Sequence, residues 1–240
     1  MTYCVGLLLD QGIVCLSDTR TNAGLDNIAT YRKTFTFEAP GERAIVIMTA
    51  GSLSVTQTAL ARLDEAAQDI EATPQTSILL APTLLQVAQI IGRTLAEVST
   101  EVAERMGASA SQAKASMIVA GQRAGGDMRM FLVYPEGNFI EATADTPYLQ
   151  IGEHKYGKPT LDRVVTPETS LDDAKKAVLL SMDSTLRSNL SVGMPLDLTV
   201  LARDSVTLET RRIEEGDATF RTMSDQWSEA LKRSFTEVEI

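Results

Sequence analysis

Short apolar runs recur near the N-terminus of the chain, each bounded by turn-forming residues. Residues 3–9 and 13–16 are apolar and flank a turn that ends in Gly12, and residues 33–38 and 44–50 are two further candidate strands around a Pro-Gly turn. Apolar segments of this length beside clusters of Gly, Pro and Asp predict β-strands joined by tight turns. The chain therefore opens with two predicted β-hairpins.

The turn of the first hairpin decides where Asp18 lies relative to Thr2. A three-residue loop with Gly12 last suits a type I turn closed by a left-handed Gly, and this loop would pair Leu9 with Ile13. In that register, Thr2 and Asp18 are diagonal neighbours on the same face of the sheet. A two-residue loop would place them on opposite faces. We therefore expect the three-residue loop, with the two side chains within reach of each other.

Two longer stretches follow in which apolar residues recur every three to four positions, as in amphipathic helices. The first helix is predicted to begin at Ser52 or Ser54, both suitable N-caps, and to run to Ile70. The second is predicted over about 81–105 and ends at Gly107. Because this second helix is unusually apolar, we expect part of its outer face to be covered by another surface.

The rest of the chain repeats the order of strands followed by paired helices. Strands are predicted at 116–122, 128–134, 139–142 and 148–151, helices from about 155 and over about 170–187, strands at 196–202 and 205–212, and a helix at about 221–234. Paired helices between blocks of sequential strands favour antiparallel sheets stacked between helix layers over a parallel sheet. The predicted fold is α+β, a four-layer αββα sandwich. We expect one domain over residues 1–240, with the last helix as a C-terminal extension.

Charge and composition exclude some classes of binding partner for the protein. The 32 acidic and 22 basic residues give a formal net charge of -10, whereas a surface that binds nucleic acid concentrates Lys and Arg. Every apolar run is far shorter than the roughly 20 residues of a membrane helix, and the apolar residues 5–9 lack the basic flank of a signal peptide. Two cysteines, Cys4 and Cys15, are too few for a disulfide framework and lack zinc-site spacing. We expect a cytoplasmic protein with neither a nucleic-acid nor a membrane partner.

The second residue is the first candidate for chemistry. If Met1 is removed, Thr2 carries both a hydroxyl and a free α-amine, and an amine with a pKa of roughly 8 is a competent base near neutral pH. A nucleophile and its base then lie on one residue. A retained Met1 would block the amine. Since Thr often follows an initiator Met without any catalytic role, the interpretation depends on the residues downstream.

Three downstream features, taken with the predicted αββα order, point to a known family. They are the Ser17-Asp18-Thr19-Arg20 segment, Lys33, and Gly51-Ser52 at a strand-to-helix turn. With these features the chain resembles the proteasome-type β-subunits of the N-terminal nucleophile (Ntn) hydrolases over nearly its whole length. The opening segment 2–6, the segment 188–193 and the added C-terminal helix look most like the bacterial ancestral β-subunit (Anbu) branch.

The resemblance implies a role for each matching residue. It makes Thr2 the nucleophile, Asp18 its structural acid 16 positions later, and Lys33 the cation 31 positions later, one fewer than in ordinary proteasome β-subunits. The loop over residues 21–30 is expected to absorb this difference. A cation beside the hydroxyl lowers the cost of developing alkoxide charge, and Gly51 would offer a backbone N–H to the oxyanion at a helix N-terminus. Outside the family context, Lys33 and Asp18 would be an ordinary ion pair and Gly51 a tight turn.

The chain also departs from the family pattern near the threonine's amine. Where proteasome β-subunits carry an Asp and a Ser three residues apart, this chain has Ser188 and Ser191, and these two residues and Arg20 are predicted to support the site. The family's Gly-Ser-Gly is replaced by Gly152-Glu153-His154. His154 is the only histidine, so a Ser, His, Asp triad would have to use it. We interpret His154 as a loop residue, with a catalytic role as the minor alternative.

The preferred hypothesis is a threonine-type Ntn hydrolase that cleaves peptide bonds through an acyl-enzyme on Thr2 and needs neither a metal nor an organic cofactor. One alternative keeps the fold and the nucleophile but takes a small amide or γ-glutamyl substrate. The other is a self-assembling scaffold with weak or no activity. The resemblance also implies a homo-oligomer, either a closed ring or an open spiral. The sequence leaves open whether an ATP-dependent unfoldase serves as a partner.

Overall fold

A computed structural model describes residues 2–22 and 28–239 of the chain. The strands are β1 Tyr3–Leu9, β2 Gly12–Asp18, β3 Arg20–Asn22, β4 Ile28–Thr30, β5 Thr34–Ala39, β6 Arg43–Gly51, β7 Ala115–Arg123, β8 Arg129–Val133, β9 Phe139–Glu141, β10 Tyr148–Gly152, β11 Leu196–Ala202 and β12 Leu208–Ile213. The α-helices are α1 Leu53–Gln68, α2 Leu84–Met106, α3 Lys158–Val164, α4 Leu171–Ser188 and α5 Ala218–Glu237. A short 3-10 helix, Gly107–Gln112, follows α2.

The two large sheets are antiparallel and each has five strands. One has the order β10-β1-β2-β11-β12 and the other the order β5-β6-β7-β8-β9, while β3 and β4 form a separate pair. A buried apolar cluster that includes Cys15, Met48 and Met130 lies between the two sheets. Helices α1 and α2 cover the outer face of the second sheet, and α3 and α4 cover that of the first. The predicted four-layer αββα sandwich is therefore confirmed.

The predicted register of the first hairpin is wrong by one residue. Leu9 pairs with Gly12 and Cys4 pairs with Ser17, so the loop consists of Asp10 and Gln11 alone. The shift arises because Gly12 is the first residue of β2 and extends the ladder, instead of closing a three-residue turn. In this register Asp18 lies opposite Tyr3, so the predicted diagonal placement of Asp18 and Thr2 does not occur.

Helix boundaries differ from the predicted ones where local polar groups determine the end. Helix α1 stops at Gln68, and Ile70, predicted to belong to the buried face, is 99% exposed. Helix α2 begins at Leu84 rather than near 81, because Thr83 caps it by accepting a hydrogen bond from the backbone N–H of Gln86. Helix α5 is three residues longer at each end than predicted, and Asp217 caps it.

Other strands and helices begin later than predicted because turns occupy the positions where they were expected to start. Strand β12 begins at Leu208 rather than at 205, since Asp204 and Val206 adopt positive φ angles in the preceding turn. Helix α3 begins at Lys158 rather than near 155. Strands β3 and β4 occupy the described part of the predicted loop over 21–30 and pair with each other, and residues 23–27 lie outside the described part.

The second helix, α2, does not have the exposed apolar face that was expected from its sequence. Every exposed residue of α2 is polar or charged, because its apolar residues pack on the sheet and on α1. The exposed large apolar side chains lie on other elements, and two of them are on α5, where Leu231 is 51% and Phe235 is 82% exposed. Among the described residues, no helix is long and apolar enough to cross a membrane.

Candidate active site

Thr2 immediately precedes β1 and is held against the end of β10. Tyr3 pairs with Gly152, and the backbone N–H of Glu153 donates a hydrogen bond of 2.6 Å to the Thr2 carbonyl oxygen. Gly152 has a φ of +81°, and a Cβ atom at this position would collide with the same carbonyl oxygen. A glycine is therefore required where β10 passes Thr2.

Asp18 ends β2 and reaches the neighbourhood of Thr2 through the backbone. Its Oδ1 accepts a 3.0 Å hydrogen bond from the backbone N–H of Tyr3, which belongs to the peptide bond that follows Thr2. Its Oδ2 accepts a 3.2 Å hydrogen bond from the backbone N–H of Gly193. The carboxylate thus links the residue after Thr2 to the loop that follows α4, despite the register shift.

Lys33 forms a buried ion pair with Asp18. The Lys33 Nζ lies 2.7 Å from Asp18 Oδ1, and the two side chains are 6% and 0% exposed. Nζ also donates to the Arg20 carbonyl oxygen at 2.6 Å. Because Lys33 immediately precedes β5 and Asp18 ends β2, the ion pair joins the two sheets.

The ion pair has the further hydrogen bonds that a buried charge needs. Burial raises the pKa of Asp18, while the Lys33 ammonium and the N–H groups of Tyr3 and Gly193 oppose this rise. An ammonium has three N–H donors, and only two of those on Lys33 have acceptors within the described residues. The third donor remains available to a group in the adjoining cavity.

Gly51 ends β6 at the position where the chain turns into α1. Its φ is +108°, and a Cβ here would collide with the Lys114 carbonyl oxygen. Ser52 occupies the N-cap position of α1, as predicted, but its side chain makes no capping hydrogen bond, and its backbone N–H donates to the same Lys114 oxygen at 2.8 Å. The turn thus places Gly51 next to the N-terminus of α1, where the helix dipole favours negative charge.

One cavity of about 350 Å³ brings these residues together. Thr2, Lys33, Gly51 and Gly152 all line it, and Arg32 and Thr49 lie along the same wall. A volume of this size lies within the range of small-ligand sites, roughly 300–1,000 Å³. The cavity can therefore admit a side chain or a small amide next to the Thr2 residue.

The predicted supporting residues lie outside this cavity wall. The Arg20 guanidinium donates to the Leu190 carbonyl oxygen at 3.0 Å and fills the space beside Gly193, where a Cβ would collide with it. Ser188 is exposed at the end of α4, and Ser191 is half-buried. The structure thus places Arg20 as a brace for the loop that carries Ser191, while the predicted roles of Ser188 and Ser191 stay predictions.

The Gly152-Glu153-His154 segment makes a contact that no sequence pattern indicates. His154 lies exposed in the loop after β10, with Nδ1 3.2 Å from the Gly152 carbonyl oxygen. The Glu153 carboxylate accepts a 3.1 Å hydrogen bond from the Asn189 amide. Glu153, which contacts Thr2 through its backbone, and Asn189, which contacts the Glu153 side chain, are thus two residues that spacing did not select. In the described part of the chain, no three or more His, Cys, Asp or Glu residues are grouped to hold a metal ion.

Comparisons with known proteins agree with this architecture. A family model described as proteasome subunit matches residues 2–201. Among solved structures, Anbu (ancestral beta-subunit) from Yersinia bercovieri is 42% identical, with 99% of this chain and 98% of that chain covered and a TM-score of 0.92. An Anbu (Gly-1) mutant from Hyphomicrobium sp. strain MC1 is 43% identical, with 100% and 99% covered and a TM-score of 0.92.

A third structure, described as the helical assembly of the Anbu complex from Pseudomonas aeruginosa, is 44% identical, with 99% of this chain and 97% of that chain covered and a TM-score of 0.92. Comparison with curated proteins gives no match. The family model covers most of the chain, and the solved structures cover nearly all of it at more than 40% identity. The chain therefore belongs to the proteasome subunit family and, within it, to the Anbu branch.

Proposed function

We propose that the chain is a threonine-type Ntn hydrolase that cleaves amide bonds in peptides. The observation that carries the proposal is the single cavity lined by Thr2, Lys33 and Gly51, next to the buried Lys33–Asp18 ion pair. This arrangement unites a hydroxyl, a fixed cation and a helix N-terminus, which are the groups that acyl transfer requires. Membership of the proteasome subunit family supports the same class of reaction.

In the proposed reaction, the Thr2 hydroxyl oxygen attacks the substrate carbonyl carbon and its proton passes to the α-amine of the same residue. The resulting ammonium then gives that proton to the departing amine as the C–N bond breaks, leaving an ester on Thr2. Water hydrolyses the ester with the α-amine again as base. Each step uses residues of this chain and calls for no metal or organic cofactor.

Two further groups stabilise charge in this scheme. Lys33 lines the cavity beside Thr2, and only two of its three N–H donors have acceptors among the described residues, so its ammonium would stabilise the developing alkoxide. The backbone N–H of Gly51 would donate to the oxyanion, with the N-terminus of α1 adding its dipole. The α-amine exists only after cleavage of the Met1–Thr2 bond, and Met1 lies outside the described residues.

Intact mass spectrometry tests this proposal directly. The purified protein is expected to lack Met1 and to gain one adduct with a peptide epoxyketone, located on Thr2, because this probe reacts with a hydroxyl and an amine on the same residue. A chain that retains Met1 is the control and should remain unmodified. A mature chain that starts at Thr2, is folded and forms no adduct would contradict the proposal.

We further propose that the chain forms a homo-oligomer. The similar Pseudomonas aeruginosa structure is described as a helical assembly, and the exposed Leu231 and Phe235 on α5 give this chain apolar surface that an assembly would cover. Multi-angle light scattering at micromolar concentration is expected to give a multiple of the chain mass of 26.0 kDa. A folded, monodisperse particle of one chain's mass would contradict this proposal.

A further inference from the structure

Removal of Met1 creates a positive charge at a point where the existing carboxylate has little hydrogen-bonding capacity left. The Thr2 α-amine is cationic below its pKa of roughly 8, and Asp18 is the buried acid nearest to it along the chain. The two oxygens of Asp18 offer about four acceptor positions, and hydrogen bonds from Lys33, the Tyr3 N–H and the Gly193 N–H already take three of them. The new ammonium has three N–H donors, of which Asp18 can accept at most one, so it needs another acceptor.

Glu153 lies directly opposite Thr2. The β1–β10 ladder pairs Gly6 with Leu149 and Tyr3 with Gly152, and the Glu153 N–H bonded to the Thr2 carbonyl continues the same register. Opposed Cα atoms of a hydrogen-bonded antiparallel pair lie about 5.5 Å apart. A glutamate side chain is long enough to bridge such a gap to the α-nitrogen of its partner.

The Glu153 side chain is also held in place. Oε2 accepts the 3.1 Å hydrogen bond from the Asn189 amide, and the Asn189 Oδ1 in turn accepts a 2.9 Å hydrogen bond from the backbone N–H of Ser191. Glu153 is half-buried, and its Oε1 has no hydrogen-bond partner in the parts of the chain that the structure describes. Ser188, in contrast, is exposed and has no charge to offer.

We infer that Glu153 is a positioning residue whose carboxylate accepts a hydrogen bond from the Thr2 α-amine once Met1 has been removed. The contact orients the amine towards the Thr2 hydroxyl and stabilises its protonated form. The inferred contact itself depends only on the free amine, whereas its importance for hydrolysis rests on the proposed function. Other ionisable side chains lie on the elements around Thr2: Asp18 on β2, Arg20 on β3, Lys33 and Arg32 in the segment before β5, and His154 in the loop after β10.

The test is a titration of the α-amine that needs no catalytic activity. Full-length chains that begin at Thr2, released from a cleavable N-terminal fusion, are treated briefly with acetic anhydride between pH 5.5 and 9.5, and acetylation of the N-terminal peptide is measured by mass spectrometry. Only the neutral amine reacts. In Glu153→Gln the midpoint is expected to move to lower pH by about 1, so that acetylation below the midpoint becomes about tenfold faster, because a nearby carboxylate stabilises the ammonium.

Two further variants distinguish the effect of the Glu153 charge on the amine from the effects of side-chain length and of the neighbouring His154. Glu153→Asp keeps the carboxylate and should retain most of the wild-type midpoint, while His154→Gln removes the adjacent titratable ring and should leave the midpoint unchanged. An unchanged or higher midpoint in a folded Glu153→Gln protein would overturn the inference, and so would a shift of the same size in His154→Gln. Failure of the proposed hydrolysis would appear separately, as the absence of an epoxyketone adduct on a wild-type chain whose amine titrates normally.

Discussion

Thr2→Ala is expected to abolish amide hydrolysis and to leave the free energy of unfolding nearly unchanged. The substitution removes the only atom that the proposed scheme uses to form a covalent bond with the substrate, so no acyl-enzyme can form. The Thr2 side chain makes no hydrogen bond with any described residue, and the contact that holds Thr2 runs through its carbonyl oxygen, which Ala retains. Release of aminomethylcoumarin from short peptides and a thermal unfolding curve measure the two effects.

The matched control is Thr2→Ser, which keeps a hydroxyl and an α-amine in the same positions. This variant should form the epoxyketone adduct and retain part of the turnover, whereas Thr2→Ala should do neither. Both variants must first be shown by intact mass to begin at residue 2. Wild-type hydrolysis by a folded Thr2→Ala protein would assign the activity to another site or to a contaminant.

Lys33→Ala is expected to lower turnover by about 10²-fold or more, the usual cost of removing one preorganised group that stabilises developing charge. Asp18 and the Arg20 carbonyl oxygen fix the ammonium at one point beside the cavity, so the charge is already in place before the reaction. Lys33→Arg should not rescue turnover, because a planar guanidinium cannot place its charge at the same point in a buried site. Steady-state hydrolysis and the rate of epoxyketone adduct formation both measure the loss.

The same substitution also acts on stability and needs its own control. It leaves Asp18 as a fully buried carboxylate without its cation, and breaking a buried ion pair in this way costs about 3–5 kcal/mol. The double variant Asp18→Asn with Lys33→Ala removes both charges and should recover stability relative to Lys33→Ala while turnover stays low. Wild-type turnover in a folded Lys33→Ala protein would show that the ion pair is purely structural.

The layer order was predictable because it depends on local signals. Apolar runs bounded by turns specify strands, and the helical period in residues 55–63 and in α2 specifies the helices that cover one sheet. Paired helices between strand blocks then leave few arrangements other than stacked antiparallel sheets. The resemblance to proteasome-type β-subunits selected Thr2, Asp18, Lys33 and Gly51, and three of these four residues line one cavity while the fourth contacts Lys33.

Features were not predictable where two local conformations of the chain have similar free energies. The first hairpin could form with a two-residue or a three-residue loop, and only pairing with the whole sheet decides between them, since Gly12 also pairs with Ala202 of β11. Likewise, the contact between Glu153 and Thr2 joins residues about 150 positions apart, and it exists because β10 rather than another strand lies at the edge beside β1. No local pattern around Glu153 encodes that neighbour.

The contact between Gly152 and Thr2 has a mechanical consequence. Two main chains touch there without a side chain between them, so neither can relax by a change of rotamer. The position of Thr2 is therefore set by the backbone of the sheet and not by side-chain packing that could adjust. A displacement of roughly 1 Å can cost about 10²-fold in rate. Substitutions in the apolar layer between the sheets that shift β10 along β1 should therefore lower turnover, even when every polar group of the site is unchanged.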